Sequence, residues 1–161
     1  MTTYTIRDKS RTISVVGERL SSASSYEPGK SRWITFDLYR SDSGVYVLHR
    51  VGRSRVFHTS DCDNTLKNGL EPVPATDLDT SGIPCLLCQP DRQSRYVFPE
   101  TDRHFSTTCG HAQGVLEFLS RYDRRTGSSY YTDVSLDLIE DAAEVDEDIN
   151  FAYYGKDSVI D

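Results

Sequence analysis

The sequence predicts an α+β fold, with a small antiparallel β-sheet and a ligand-bearing knuckle followed by a helical C-terminal part. Three observations predict it. Residues 12–60 hold aromatic and β-branched runs punctuated by turn residues. Two short-spaced pairs follow, His58-x3-Cys62 and Cys85-x2-Cys88, with 22 residues between them. Apolar residues then recur at helical spacing between Ala112 and Val145.

The first strand is expected at Thr12–Val16. The Ser-rich stretch Ser21–Lys30 reads as a mobile loop. Trp33–Arg40 reads as a strand, Ser41–Gly44 as a turn and Val45–Val51 as the next strand. Gly52 opens a second tight turn, and Arg55–His58 starts a third strand that completes a β-meander and delivers the first His/Cys pair. Residues 64–84 are loop-like, with a short helical turn after Thr76; Cys88–Asp91 opens another short helix, and Ser94–Phe98 forms a strand. Ala112, Val115, Leu116 and Leu119 share one helical face, widened by Phe118 and Tyr122. Arg124–Ser129 is a loop. Val134, Leu138, Ile139, Ala142 and Val145 form a second amphipathic helix with Thr132 as N-cap. Asp146, Glu147 and Asp148 suit the start of a third helix, because carboxylates there oppose the positive end of the helix dipole; Gly155 suits its end. Residues 1–98 thus read as the β-meander with its metal module. Residues 99–161 read as an acidic helical part, packed on the first as one compact unit.

The chain has 161 residues, 37% of them hydrophobic, and a mean hydropathy of -0.53. The core is therefore modest, and a structural metal adds needed stability. No apolar run approaches the roughly 18 residues of a membrane helix, and Met1–Asp8 has no apolar signal core. These features give the expectation of a cytoplasmic location, where reduced thiols favour metal binding over disulfides.

Net charge is -7, unevenly spread. Residues 1–60 carry ten Lys/Arg against five Asp/Glu, whereas residues 99–161 carry five against fourteen. The acidic tail repels nucleic acid and argues against strong non-specific DNA binding.

Four soft or borderline ligands in two close pairs are what a closed tetrahedral zinc site requires, so His58, Cys62, Cys85 and Cys88 are the candidate Zn2+ ligands. Two other readings of these residues stand beside it. The cysteines can be small buried apolar residues beside a satisfied core histidine. Cys85-Leu86-Leu87-Cys88 can be a redox pair, although such a pair usually opens a helix in a βαβ pattern that is missing here.

The segment Tyr46–Arg92 resembles the zinc-binding domain at the N-terminus of the Ada DNA-repair protein. The resemblance rests on Val56-Phe57-His58-x3-Cys62 and on Gly82-x-Pro84-Cys85-x2-Cys88-Gln89-Pro90-Asp91. It implies a zinc fold whose first ligand comes from a strand hairpin. In that family the first ligand is a cysteine that accepts a methyl group from DNA. Here the position is His58, which offers no thiolate for that chemistry. Residues 1–45 and 93–161 carry no such resemblance.

Three functional readings follow. The first is a zinc-stabilised, non-catalytic adaptor or regulator, bacterial or phage in origin. It acts through a protein partner, which can be a basic or DNA-binding protein, and its acidic tail and Tyr130, Tyr131, Tyr153 and Tyr154 form the interface. The second is a nucleic-acid-binding module in which Arg50, Arg53 and Arg55 bind phosphates from one hairpin. The third is a metal-dependent enzyme with a second site at His104, Cys109 and His111. The sequence has no phosphate-cradling glycine loop and no nucleophile elbow.

Overall fold

The N-terminal strands form because Thr, Tyr, Ile and Val alternate with polar residues, which gives a ribbon one apolar side. The computed structural model describes residues 2–74, 82–88 and 95–155. Strand β1 (Thr2–Asp8) turns at Lys9, whose φ is 56°, into β2 (Arg11–Ser24). Register pairs Ile6 with Ile13 and Tyr4 with Val15. β2 continues past the predicted end at Val16 and pairs antiparallel with β3 (Arg32–Ser41) from Gly17 to Ser24, with a register shift between Arg19 and Ser21. The Ser21–Lys30 stretch is therefore not a loop throughout, since its first four residues are strand. Their serines carry little apolar signal, and pairing with β3 holds them in place.

Ser41–Gly44 does turn the chain, with Gly44 at φ 89°. The next strand, β4 (Tyr46–Ser54), runs straight through Gly52, where a second turn was predicted. Strand β9 (Arg103–Cys109), which the sequence pattern did not reveal, closes the sheet next to β4. The order is β1-β2-β3-β4-β9 in a curled antiparallel sheet.

Helices α2 (Ala112–Leu119), α3 (Asp133–Val145) and α4 (Glu147–Tyr154) cover one face of this sheet. Phe36, Leu38, Tyr46 and Leu48 pack there against Val115, Leu116, Leu119, Leu138, Ile139, Ala142 and Ile149. The other face carries a smaller cluster of Ile6, Val15, Tyr39 and Val47. The predicted Thr132 cap is present, accepting from the Ser135 amide, and the acidic start predicted for the third helix supplies its cap, since Asp146 accepts from the Ile149 amide at 2.9 Å. Tyr122 does not widen the α2 face. It lies on β10 (Arg121–Asp123), which forms a hairpin with β11 (Ser128–Tyr130), so Ser128 and Ser129 are strand rather than loop.

A second sheet, of order β6-β8-β5-β7, joins β5 (Val56–His58), β6 (Val73–Pro74), β7 (Ile83–Pro84) and β8 (Tyr96–Pro99). The meander's third strand thus belongs to this sheet: β5 pairs parallel with β7 and antiparallel with β8. Helix α1 (Asp63–Asn68), ending at Gly69 with φ 57°, occupies part of the stretch predicted to be loop-like. The predicted helical turns after Thr76 and across Cys88–Asp91 fall on or run into residues outside those described.

The chain divides into two compact units. The first comprises the stretch up to Ser25, Ile34–Val51, and the chain from His104 onward; the second comprises Tyr26–Trp33 and Gly52–Arg103. Among the described residues, no helix is long and apolar enough to cross a membrane.

Candidate metal centre

The second unit places its ligands through short local devices. His58 ends β5, where it pairs with Phe98 of β8 and follows Phe57, which is paired on both sides. Cys62 is the N-cap residue of α1, and the hydroxyl of Thr65 donates to the Thr59 carbonyl at 2.7 Å, tying the intervening turn to the helix. Cys85 follows β7, and the Cys88 amide donates to the Cys85 carbonyl at 2.9 Å, closing the knuckle.

These devices bring His58, Cys62, Cys85 and Cys88 together with all four ligand atoms within 4.8 Å of one another. Sulfur to sulfur, Cys62 and Cys85 are 3.8 Å apart. The Nδ1 atom of His58 is 3.4 Å from Cys62 Sγ and 3.9 Å from Cys88 Sγ. Bonds of about 2.3 Å to sulfur and about 2.0 Å to nitrogen at tetrahedral angles separate ligand atoms by about 3.5–3.8 Å. The residues therefore fit a single four-coordinate ion. All four are buried, with exposures of 0%, 2%, 6% and 1% in chain order. None of the cysteines forms a disulfide.

Backbone amides point at two of the sulfurs. The Thr59 amide donates to Cys88 Sγ at 3.1 Å and the Leu87 amide to Cys85 Sγ at 3.3 Å, with Asn64 Nδ2 3.9 Å from the same sulfur. Burial works to raise the Cys85 thiol, but the amides of Leu87 and Cys88 outweigh it and hold the thiol below its usual value. Burial pushes Cys62 up to about 11. A bound cation would reverse that burial effect by supplying the countercharge.

Behind the histidine lies a residue that sequence reasoning missed. Glu100 places Oε2 3.2 Å from His58 Nε2, and its side chain is buried. Arg32 reaches the same oxygen at 3.1 Å and Arg103 reaches Oε1 at 3.0 Å. With Nδ1 turned toward the sulfurs, an ion held there by Nδ1 would leave Nε2 to carry the proton and donate to Glu100. This is the carboxylate–histidine arrangement that orients metal-binding imidazoles.

The other candidate residues do not assemble in this way. Arg53 pairs with Asp102 at 2.9 Å. Arg55 donates to Tyr26 Oη at 3.0 Å and lies over the Tyr26 and Trp33 rings. Arg50 belongs to the first unit and lines a cavity there. His104 stacks on His49, with ring centroids 5.3 Å apart, and its Nδ1 is 3.1 Å from His49 Nε2. Cys109 ends β9, its thiol raised by burial, and His111 is the exposed N-cap of α2 without a side-chain cap bond. Among the described residues, the His58 cluster is the one group of three or more His, Cys, Asp or Glu side chains placed to hold an ion.

No family model, curated protein or solved structure matches the chain. The resemblance to the Ada zinc domain accordingly assigns no family. It agrees with the cluster in ligand positions, and the chemistry of this site rests on its own geometry.

Proposed function

We propose that His58, Cys62, Cys85 and Cys88 hold one zinc ion as a structural element. On this reading the protein works without catalysis, as a small adaptor or regulator that binds a protein partner. The observation that supports it most is the closure of the site: four protein ligands saturate a tetrahedral ion, and all four are buried. Catalytic zinc keeps a position open for water or substrate, and this donor set leaves none.

The surfaces support binding to a basic partner. Along α3, Asp133, Asp137, Glu140, Asp141 and Glu144 are exposed, and the helix has no basic residue. Spaced three and four apart, Asp137, Glu140, Asp141 and Glu144 form one acidic ridge. Leu86 and Leu87, between the two knuckle cysteines, are 86% and 55% exposed. Metal ligation fixes the backbone on both sides of them, so apolar contact there costs little ordering entropy. Arg53 pairs with Asp102, and Arg55 with Tyr26 and Trp33, so a phosphate bound by either residue of that hairpin would compete with an existing partner.

Two measurements test this reading. Elemental analysis of the purified protein should find one zinc per chain, and a protein that folds fully without metal contradicts the assignment. Affinity capture should retain basic proteins on the wild type and lose them on a triple variant, Asp137→Lys, Glu140→Lys, Glu144→Lys. Equal capture by both would remove the acidic ridge as the binding surface.

A further inference from the structure

In the first unit, alternation along β4 directs Tyr46 and Leu48 into the helix-covered core, each 1% exposed. The next residue on that face is Arg50, where the pattern calls for another apolar side chain. A cation at an apolar position breaks the local rule, and such breaks concentrate at functional sites. Arg50 lines a cavity of about 280 Å³ together with Phe36, Phe105, Phe118, Leu119, Arg121 and Ser135. Two arginines thus share a cavity with an apolar and aromatic wall, and no carboxylate is among the described residues that line it. This composition stands out in a chain whose net charge is -7 and whose neighbouring helix α3 is acidic.

The aromatic wall is suited to a flat ligand. The rings of Phe105 and Phe118 lie 6.0 Å apart between centroids and within 11° of parallel. They are 38% and 42% exposed, unusual for phenylalanines beside a core. Near-parallel, part-exposed rings lining a cavity offer stacking in one orientation, as in sites that take nucleobases on aromatic side chains. Guanidinium groups bind phosphate oxygens through paired N–H donors. Ser135, which accepts a hydrogen bond from the Thr132 hydroxyl at 3.0 Å, adds a polar atom to the same wall.

We propose that this cavity, lined by Phe105, Phe118, Arg50 and Arg121, binds a small aromatic phosphate, between phenyl phosphate and a nucleoside monophosphate in size. The ring stacks on the phenylalanines and the phosphate meets the two arginines. The volume, just under the range for drug-sized ligand pockets, sets the size. The acidic ridge on α3 sets the charge limit: one phosphate is accommodated, while an extended polyanion is repelled. The site lies within the first unit and does not depend on the metal reading.

Calorimetric titration of the metal-loaded protein with phenyl phosphate, adenosine monophosphate, inorganic phosphate and a twelve-nucleotide single strand tests it. At least one aromatic phosphate should bind saturably with Kd below about 1 mM, and inorganic phosphate roughly tenfold more weakly. Arg121→Ala and Phe118→Ala change exposed side chains and should each weaken binding about tenfold without altering the circular dichroism spectrum. The proposal is overturned if neither aromatic phosphate binds, or if both variants bind as the wild type does. Tighter binding of the oligonucleotide than of adenosine monophosphate overturns the free small-molecule ligand and makes a nucleic-acid strand the source of the group.

Discussion

Glu100 lies 42 positions from His58 in sequence, yet its carboxylate sits 3.2 Å from the histidine's Nε2. Both side chains are almost fully buried, and Arg32 and Arg103 hold the carboxylate from the other side. The contact fixes which imidazole nitrogen is free to bind a metal. A carboxylate in this position also raises the basicity of the ligating nitrogen.

Replacing Glu100 should therefore weaken metal binding without touching a ligand. Glu100→Ala leaves His58 Nε2–H buried without its acceptor and leaves two arginines facing each other uncompensated. Metal affinity should fall roughly 10–100-fold, read by competition with a chromophoric chelator. Glu100→Gln keeps an acceptor oxygen and should fall between the wild type and the alanine variant. Equal affinity in all three would show that the carboxylate does not orient the ligand.

Metal removal should unfold the second unit selectively. Its buried apolar cluster is Val56 with Cys62, Cys85 and Cys88, so three of its four members are themselves candidate ligands. Without the ion little apolar packing remains to offset chain entropy. Hydrogen exchange after chelation, or in Cys85→Ser, should show lost protection across β5, β7 and β8. Helices α2, α3 and α4 pack on the separate core of the first unit and should keep theirs. Uniform loss of protection would mean the two units unfold together.

Much of the site was legible in the sequence, because ligand spacing is a local property. His-x3-Cys and Cys-x2-Cys needed only a strand end, a helix start and a knuckle to converge. Glu100 left no such trace: a glutamate after Pro99 at a strand end looks like any other. The same contrast runs through the fold. Thr132 was readable as a cap, and Asp146 as part of a helix start, because both signals act within one turn. Ser21–Ser24 looked like a loop because what holds it is distant. Those residues pair with Leu38, Asp37, Phe36 and Thr35, and Ser21 Oγ donates to the Leu138 carbonyl at 2.9 Å. β9 was obscured by its own chemistry, since His104 and Cys109 suggested ligands where they are strand residues.

Asp146 should be the most sensitive carboxylate of the first unit. Its Oδ1 accepts from the Tyr46 hydroxyl at 3.0 Å and from the Ile149 amide at 2.9 Å, while Oδ2 meets Arg40 at 2.9 Å. Burial, then the Asp146 carboxylate, raises the Tyr46 pKa above its usual value, so the phenol stays a donor. Asp146→Ala removes a helix cap and strands a buried hydroxyl, costing about 2–4 kcal/mol. Asp148 binds the same arginine from an exposed position, and Asp148→Ala should cost under about 1 kcal/mol. Denaturant melts of the two variants check the ordering, and similar midpoints would contradict it.

Asp8 should make stability depend on acid pH. Its carboxylate accepts from the Ser106 amide at 3.0 Å and from Arg11 Nε at 3.0 Å, and these bonds, the amide first, hold its pKa below the ordinary 3.8. A depressed folded-state pKa means the contribution is complete above the unfolded value. It is lost as pH falls below about 4 toward the folded value. Asp8→Asn should therefore destabilise the protein at neutral pH and flatten the acid limb of its stability profile. Parallel profiles for the two proteins between pH 5 and pH 2 would exclude Asp8 as a contributor.

Two glycines should respond in opposite ways to the same substitution. Gly17 sits where β2 exchanges its pairing from β1 to β3, opposite Thr2 on one side and Ser41 on the other. A Cβ added there would lie 2.1 Å from the Arg40 carbonyl oxygen and 2.7 Å from the Ser41 Cα. Both are backbone atoms of a paired strand and cannot rotate away, so Gly17→Ala must push β3 aside, at about 1–3 kcal/mol. Gly114 lies inside α2, and a Cβ there meets only Cys109 Cβ at 3.4 Å and its sulfur at 3.7 Å, ordinary contact distances. With space available, the helix propensity of alanine decides the sign, and Gly114→Ala should stabilise by about 0.5–1 kcal/mol. Thermal melts should move down for the first variant and up for the second. A Gly17→Ala protein as stable as wild type would show that β2 and β3 are not held as closely as their register requires.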